Sequence, residues 1–294
     1  MRTKRLWMAL TLSLIGLPAA IWLAGTVLSW PARAVMPAPP DGAAAVEFNS
    51  TSGTTIRGWL FAGQAGQGVV LLLHGVRANR LETSSRAAFL RQAGYGVLQI
   101  DQQAHGESSG QQITFGYLES RDAQAALQFL QSRLPNERLG ALGISLGGAA
   151  ICLAEEPLPL DALILEMVYP DLHRAVENRV ARYLGNWARP LTPLLEWQLK
   201  PRLGIGAEAL RPIDHVASLA YPKLFIVGER DRHTPLNESQ ELFNAASAPK
   251  ELWVVKDVQH ENLHAKATGE YEQRVLKFFA ETLRAPEDKR AQVR

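Results

Sequence analysis

Cysteine is almost absent from this sequence: Cys152 is the single one in 294 residues, which excludes an intrachain disulfide and any cysteine-based metal cluster. An excess of one charge is absent too. The 31 Lys and Arg against 29 Asp and Glu leave a formal net charge of +2, too small to argue for a nucleic-acid partner, and no DNA- or RNA-binding signature accompanies it. No segment repeats, no His/Asp/Glu spacing reads as a metal site, and no pattern calls for a cofactor. What remains is a chain that is 47% hydrophobic and 20% charged, sufficient for one sizeable core with appendages.

The longest run without charge sits at the start. Arg2, Lys4 and Arg5 form a basic leader over 1–5, and Leu6 to Trp30 then contains no charged residue. Its 25 residues exceed the roughly 20 that span a bilayer and the 7–15 of a typical secretory h-region. Trp7 and Trp30 stand at its two ends, where an interfacial belt belongs. The segment reads as a single transmembrane helix, N-terminus in and the bulk of the chain outside, because positive charge is concentrated before it. The alternative is a signal peptide cleaved at Ala32-Arg33-Ala34, leaving a secreted protein. Residues 31–45 are rich in Pro and Ala and suit an extended linker that holds a domain off the membrane.

From Val46 the pattern alternates. Val46–Asn49 and Thr55–Phe61 suggest an antiparallel pair. Strands are then expected at Val69–Leu73, Val97–Asp101, Leu139–Ile144, Ala162–Met167, Lys223–Gly228 and Glu251–Lys256. Helices are expected at Ser84–Gln92, Glu119–Arg133, Glu238–Ala246 and Glu270–Leu283. Apolar strands between helices imply an α/β fold with a mostly parallel sheet covered on both faces, over 46–285. Residues 168–216 are too long for an ordinary connection and read as a helical cap, with Tyr169, Tyr183, Trp187 and Trp197 expected to form its own small core. The tail 286–294 is charged.

The sequence matches G-x-S-x-G twice, at Gly143–Gly147 and Gly106–Gly110. Ser108 lies in a polar run with no helix starting on it. Ser145 has a buried strand before it and a small-residue helix after it, as a nucleophile elbow requires, so context selects Ser145. A nucleophilic serine needs a base and a residue to orient that base. Asp231 follows the strand KLFIVG and His260 follows ELWVVK, so both stand at carboxyl ends of strands, where sheet enzymes place such groups. Glu166 and Asp257 are rival acids and His264 a rival base. Arg77 and Arg80 read as solvated loop residues, with contact to an anionic substrate group as the alternative; His233 reads as an exposed histidine, with a pocket-facing one as the alternative, and Cys152 as a buried, inert thiol.

Four pieces in order, Leu73-His74-Gly75-Val76, Asp101 through His105 to Ser108, the Ser145 elbow, and Gly228 through Asp231 to Pro235 with His260 beyond, make the chain resemble the α/β-hydrolase superfamily. The resemblance implies an eight-stranded sheet with an antiparallel second strand and a cap after the sixth. It also implies bracing roles for His74 and His105, and an oxyanion hole made by the backbone N–H groups of Val76 and Leu146. The narrower likeness is to membrane-anchored bacterial serine hydrolases, with a periplasmic catalytic domain and a small-molecule or lipid-like acyl substrate. The chain departs from many relatives in reading Gln102-Gln103-Ala104 after Asp101, where an arginine is common. The expected activity is hydrolysis of an ester or related acyl bond through Ser145, His260 and Asp231. A peptidase, a thioesterase or a binding protein on the same fold are the alternatives.

Overall fold

Val69–Leu73 is an unbroken apolar run of five residues and forms a fully buried strand. Its alternate side chains serve opposite faces, as a period of two requires: Val69, Leu71 and Leu73 enter one core, Val70 and Leu72 the other. The computed structural model, which describes Gly16 and residues 18–284, puts this strand near the middle of an eight-stranded sheet. Along the chain the strands are β1 (Ala43–Ser50), β2 (Thr54–Phe61), β3 (Val69–Leu73), β4 (Gly96–Asp101), β5 (Leu139–Ile144), β6 (Ala162–Glu166), β7 (Lys223–Gly228) and β8 (Lys250–Val255). Their spatial order is β8-β7-β6-β5-β3-β4-β2-β1. β2 runs antiparallel to both β1 and β4, and the remaining pairs are parallel.

Helices cover both faces, since a parallel sheet is apolar on each. Ser84–Gln92 and Thr268–Leu283 bring Phe89, Leu90, Val275 and Phe279 to one face. Glu119–Arg133, Leu146–Cys152 and Leu236–Ala245 bring Leu127, Ile151 and Leu242 to the other. Cys152 is buried in that layer, and burial pushes its thiol up to about 12, which leaves it inert.

Three expectations are corrected. The first strand begins at Ala43, not Val46, because backbone pairing with β2 runs the full eight residues and outweighs the weak strand preference of alanine. The Pro/Ala segment does not stand off the domain. Ala32 and Arg33 pair with His105 and Gly106, and Met36 is buried. Within the insertion the small core is aliphatic, made of Leu172, Leu199 and Leu210 with Leu153 beneath, while Tyr183, Trp187 and Trp197 point outward.

Of the run Leu6–Trp30, residues 6–15 and 17 lie outside the described residues, as do the leader 1–5 and the tail 286–294. Residues 18–29 form a helix about 18 Å long at 1.5 Å per residue. No helix among the described residues is long and apolar enough to cross a membrane. This helix lies against the cap: Gln198 Nε2 donates to Ile21 O at 2.8 Å and Arg202 Nη2 to Trp22 O at 2.7 Å. A Cβ on Gly25 would sit 2.3 Å from the Gln198 side chain, so the close approach needs glycine there.

Two buried arginines tie the first crossover helix to the sheet. Arg86 Nε donates to Glu166 Oε2 at 3.0 Å, its Nη2 is paired with Oε1, and Tyr271 Oη donates to Oε2 at 2.7 Å. Arg80 Nη2 reaches Asp101 Oδ2 at 2.6 Å and Glu107 Oε2 at 3.0 Å. Removing one member of such a pair strands the other in a low-dielectric interior. Arg86→Met is therefore expected to cost about 3–5 kcal/mol in urea unfolding; a loss below about 1 kcal/mol, the size of a surface pair, would contradict this account.

Candidate active site

β5 ends at Ile144 and the helix Leu146–Cys152 begins two residues later, leaving only Ser145 for the reversal. Ser145 takes φ 47° and ψ −106°, a region a side-chain-bearing residue adopts only under constraint. Glycines make the constraint possible. A Cβ on Gly143 would lie 2.5 Å from Gly148 N, and one on Gly147 would lie 2.6 Å from Leu73 O. The second contact also brings the start of the helix against the end of β3. Leu146 is thereby placed in one cluster with Val76, and neither the Val76 nor the Leu146 N–H has an acceptor among the described residues. Ser145 Oγ is buried and has no hydrogen-bond partner either.

Asp231 and His260 are brought together by the loops after β7 and β8. Glu229 N donates to Val255 O and Arg230 N to Val258 O, each at 2.9 Å, and a Cβ on Gly228 would sit 2.6 Å from Val258 O. His260 Nδ1 then meets Asp231 Oδ2 at 2.6 Å. The other carboxylate oxygen accepts from His233 N at 2.7 Å and Thr234 N at 2.9 Å, which holds the carboxylate in place. With Nδ1–H donating to Asp231, Nε2 is the basic nitrogen of the ring. No hydrogen bond joins His260 to Ser145 Oγ in this structure; such contacts commonly close only around substrate.

The rivals go elsewhere. Ser108 is fully buried; its Oγ donates to Asp101 O at 2.5 Å and accepts from Arg57 N at 2.8 Å, so it is a structural clamp. Glu166 is committed to Arg86 and Tyr271. Asp257 is exposed and pairs with Arg230 at 2.5 Å. His264 Nε2 meets Glu272 at 2.8 Å, away from Asp231.

The loop after β3 is braced by two histidines. His74 Nε2 accepts from Gln102 N at 3.1 Å while Nδ1 bonds Gly75 O at 2.7 Å. His105 Nε2 accepts from Arg77 N at 3.1 Å, fixing Arg77 at φ 61° one residue past Val76. The two glutamines after Asp101 supply the donors there: Gln102 Nε2 reaches His74 O at 2.8 Å and Gln103 Nε2 reaches Glu119 Oε1 at 2.7 Å.

His233 is also not where the sequence suggests. It is half-buried, its ring lies 5.0 Å from that of His260 and 6.2 Å from Tyr183 of the cap, and its Nε2 has no partner. Burial, then the charges of Arg179 and His260, lower it to about 4, so it is neutral beside His260. Its position two residues after Asp231 was the available signal. Arg80 is likewise a buried partner of Asp101 and not a solvated loop residue, whereas the exposed Arg77 reaches Trp30 O at 3.2 Å.

Comparison with known proteins agrees with this fold. Residues 64–205 match the family described as serine aminopeptidase, S33. The uncharacterized protein Rv2307c of Mycobacterium tuberculosis is 30% identical over 234 residues, 78% of this chain and 75% of that one. The chain belongs to the α/β-hydrolase superfamily. The uncharacterized protein YqkD of Bacillus subtilis is 26% identical over 236 residues, covering 78% and 77% of the two chains. Among solved structures, the Pyrococcus furiosus esterase Pf2001 superposes with a TM-score of 0.70 at 24% identity, over 87% of this chain and 98% of that one.

His74 gives a pH test of the braced loop. Complete burial, then the neighbouring His105, lower it from 6.5 to about 3. A histidine with a depressed folded value contributes fully above its unfolded value and loses that contribution as pH falls. Wild type should therefore lose stability more steeply than His74→Gln between pH 6.5 and 4, so that their urea midpoints converge. Parallel pH dependence of the two would contradict a buried, neutral His74.

Proposed function

We propose that this chain is a serine hydrolase that cleaves an ester or related acyl bond through Ser145, His260 and Asp231. The observation that carries the reading is the 2.6 Å contact of His260 Nδ1 with Asp231, in a site that also holds an unpartnered Ser145 Oγ. His260 Nε2 takes the Ser145 proton as Oγ attacks the acyl carbon. Asp231 keeps the imidazole in the tautomer with Nε2 free and stabilises the imidazolium. The N–H groups of Val76 and Leu146 receive the oxyanion, each such donor contributing about 3–4 kcal/mol to the transition state. The imidazolium protonates the leaving alcohol, and water activated by the same histidine releases the acyl group. His233, neutral and with its ring tilted 5.0 Å from that of His260, adds no competing positive charge beside the base.

The similar proteins support two substrate arms. The esterase likeness favours carboxylic esters, and the likeness to the serine aminopeptidase family favours the amide bond that follows an N-terminal residue. Residues 6–30 are read as a membrane anchor, N-terminus in, which suits a lipid-like acyl substrate met outside the cytoplasm.

The test is steady-state hydrolysis of a p-nitrophenyl ester series beside aminoacyl p-nitroanilides. Ser145→Ala should lower kcat by roughly 10⁶ and Asp231→Asn by roughly 10⁴, with Ser108→Ala within a few-fold of wild type in folded protein. Turnover by Ser145→Ala at the wild-type rate would overturn the proposal, and turnover confined to the p-nitroanilides would transfer it to the amide arm.

A further inference from the structure

The exposed large apolar residues of this protein are not scattered. Apart from Val35 and Leu81, all of those among the described residues belong to the helix 18–29 with its last neighbour Trp30, or to the cap. On the cap, Trp187 is 74% exposed, Trp197 69% and Tyr183 71%; on the helix side, Leu23 is 63% and Trp30 62%. Tryptophan this open in a water-soluble surface is unusual, and a contiguous patch of this kind marks an interaction face.

The two parts are one surface. Trp22 and Trp197 meet edge to face with centroids 6.4 Å apart, the Arg202 guanidinium lies 4.1 Å from the Trp22 ring centre, and Arg202 also bonds Thr26 Oγ1 at 2.7 Å. The helix buries Ile21, Gly25 and Ser29 toward the body and turns Leu23 and Val27 away. Whatever apolar medium receives the helix must therefore meet the cap as well. The charge around the patch selects that medium. Between residues 182 and 202 stand Arg182, Arg189, Lys200 and Arg202 against Glu196 alone, and Arg182 and Lys200 are exposed and enter none of the ion pairs among the described residues. Tryptophan and tyrosine beside unpaired arginine and lysine are the chemistry of an interfacial surface on anionic lipid.

We infer that the cap and the helix 18–29 form a single docking surface for an anionic phospholipid bilayer, so that the cap lies on the membrane. This rests on the membrane reading of residues 6–30 and changes its geometry: the catalytic domain is not held at a distance by the Pro/Ala segment, which is itself laid along the domain. Substrate then reaches the cap from the lipid, and the apolar cleft between helix and cap, lined by Leu28, Phe115, Leu172, Leu195 and Leu199, lies on that side.

The test uses the full chain in vesicles of phosphatidylcholine and phosphatidylglycerol, with an environment-sensitive fluorophore on one introduced cysteine and a nitroxide-bearing phospholipid as quencher. Labels go to Trp187→Cys and Leu184→Cys on the cap, Leu23→Cys on the helix and Lys277→Cys on the last helix as a control; all four positions are exposed. Quenching at 187 and 184 at least about twofold stronger than at 277, and weaker in vesicles without phosphatidylglycerol, is expected of an interfacial surface. Quenching at 23 with none at 184 and 187 overturns the docking surface and leaves the anchor standing. Absence of quenching at all positions overturns both, as it would if the patch were covered by a protein partner.

Discussion

A single residue separates β5 from the helix that follows it, and the site depends on how that residue is allowed to turn. Ser145 can hold φ 47° only where neighbouring backbone comes closer than a Cβ would permit, and Gly143 and Gly147 provide that room. The same closeness lays the helix start against Leu73 and gathers Leu146 and Val76 into one cluster. The placement of Ser145 and that of the Val76 and Leu146 N–H groups are therefore consequences of one steric fact. Substituting either glycine would separate them together.

The loops that complete the site are held by buried polar contacts and not by apolar packing. Asp101 takes Arg80 on both its carboxylate oxygens, His74 and His105 pin the loop carrying Val76, and Asp231 accepts two backbone N–H groups besides His260. Each of these groups would be costly to leave unpaired away from water. This explains why titratable residues committed to structural contacts crowd the site, and why Glu166, an acid at the end of β6, is unavailable to the histidine: Arg86 and Tyr271 already hold it.

Much of the sheet was legible in the sequence because its strands are short apolar runs bounded by turn residues. β3, β5 and β7 and the helices Ser84–Gln92 and Glu119–Arg133 lie where periodicity places them. Asp231 and His260 could be singled out because each follows such a run directly. What was not legible depends on partners distant in sequence. Arg86 and Glu166 are 80 residues apart, so nothing local marks Arg86 as buried, and Arg80 looks like any loop arginine until Asp101 closes on it. The sequence leaves His233 between an exposed and a pocket-facing position, because its neighbour Tyr183 comes from the cap. Composition assigns the cap aromatics to a core of their own, yet leucines fill that core, Tyr183, Trp187 and Trp197 face outward, and Tyr169 is buried in the core of the domain. The reading of residues 31–45 as a spacer failed for a similar reason, since the pairing of Ala32 with His105 has no local signature.

The central claim is that Ser145 is an activated nucleophile. It is tested most directly by treating the full-length protein with a fluorophosphonate, digesting with trypsin and locating the added mass. The peptide Leu139–Arg174 contains Ser145 as its only serine or threonine, while Ser108 falls in Gln92–Arg121. Stoichiometric modification of the first peptide, abolished by His260→Gln, is the predicted result. Modification of the second peptide, or none in folded protein, would contradict the account.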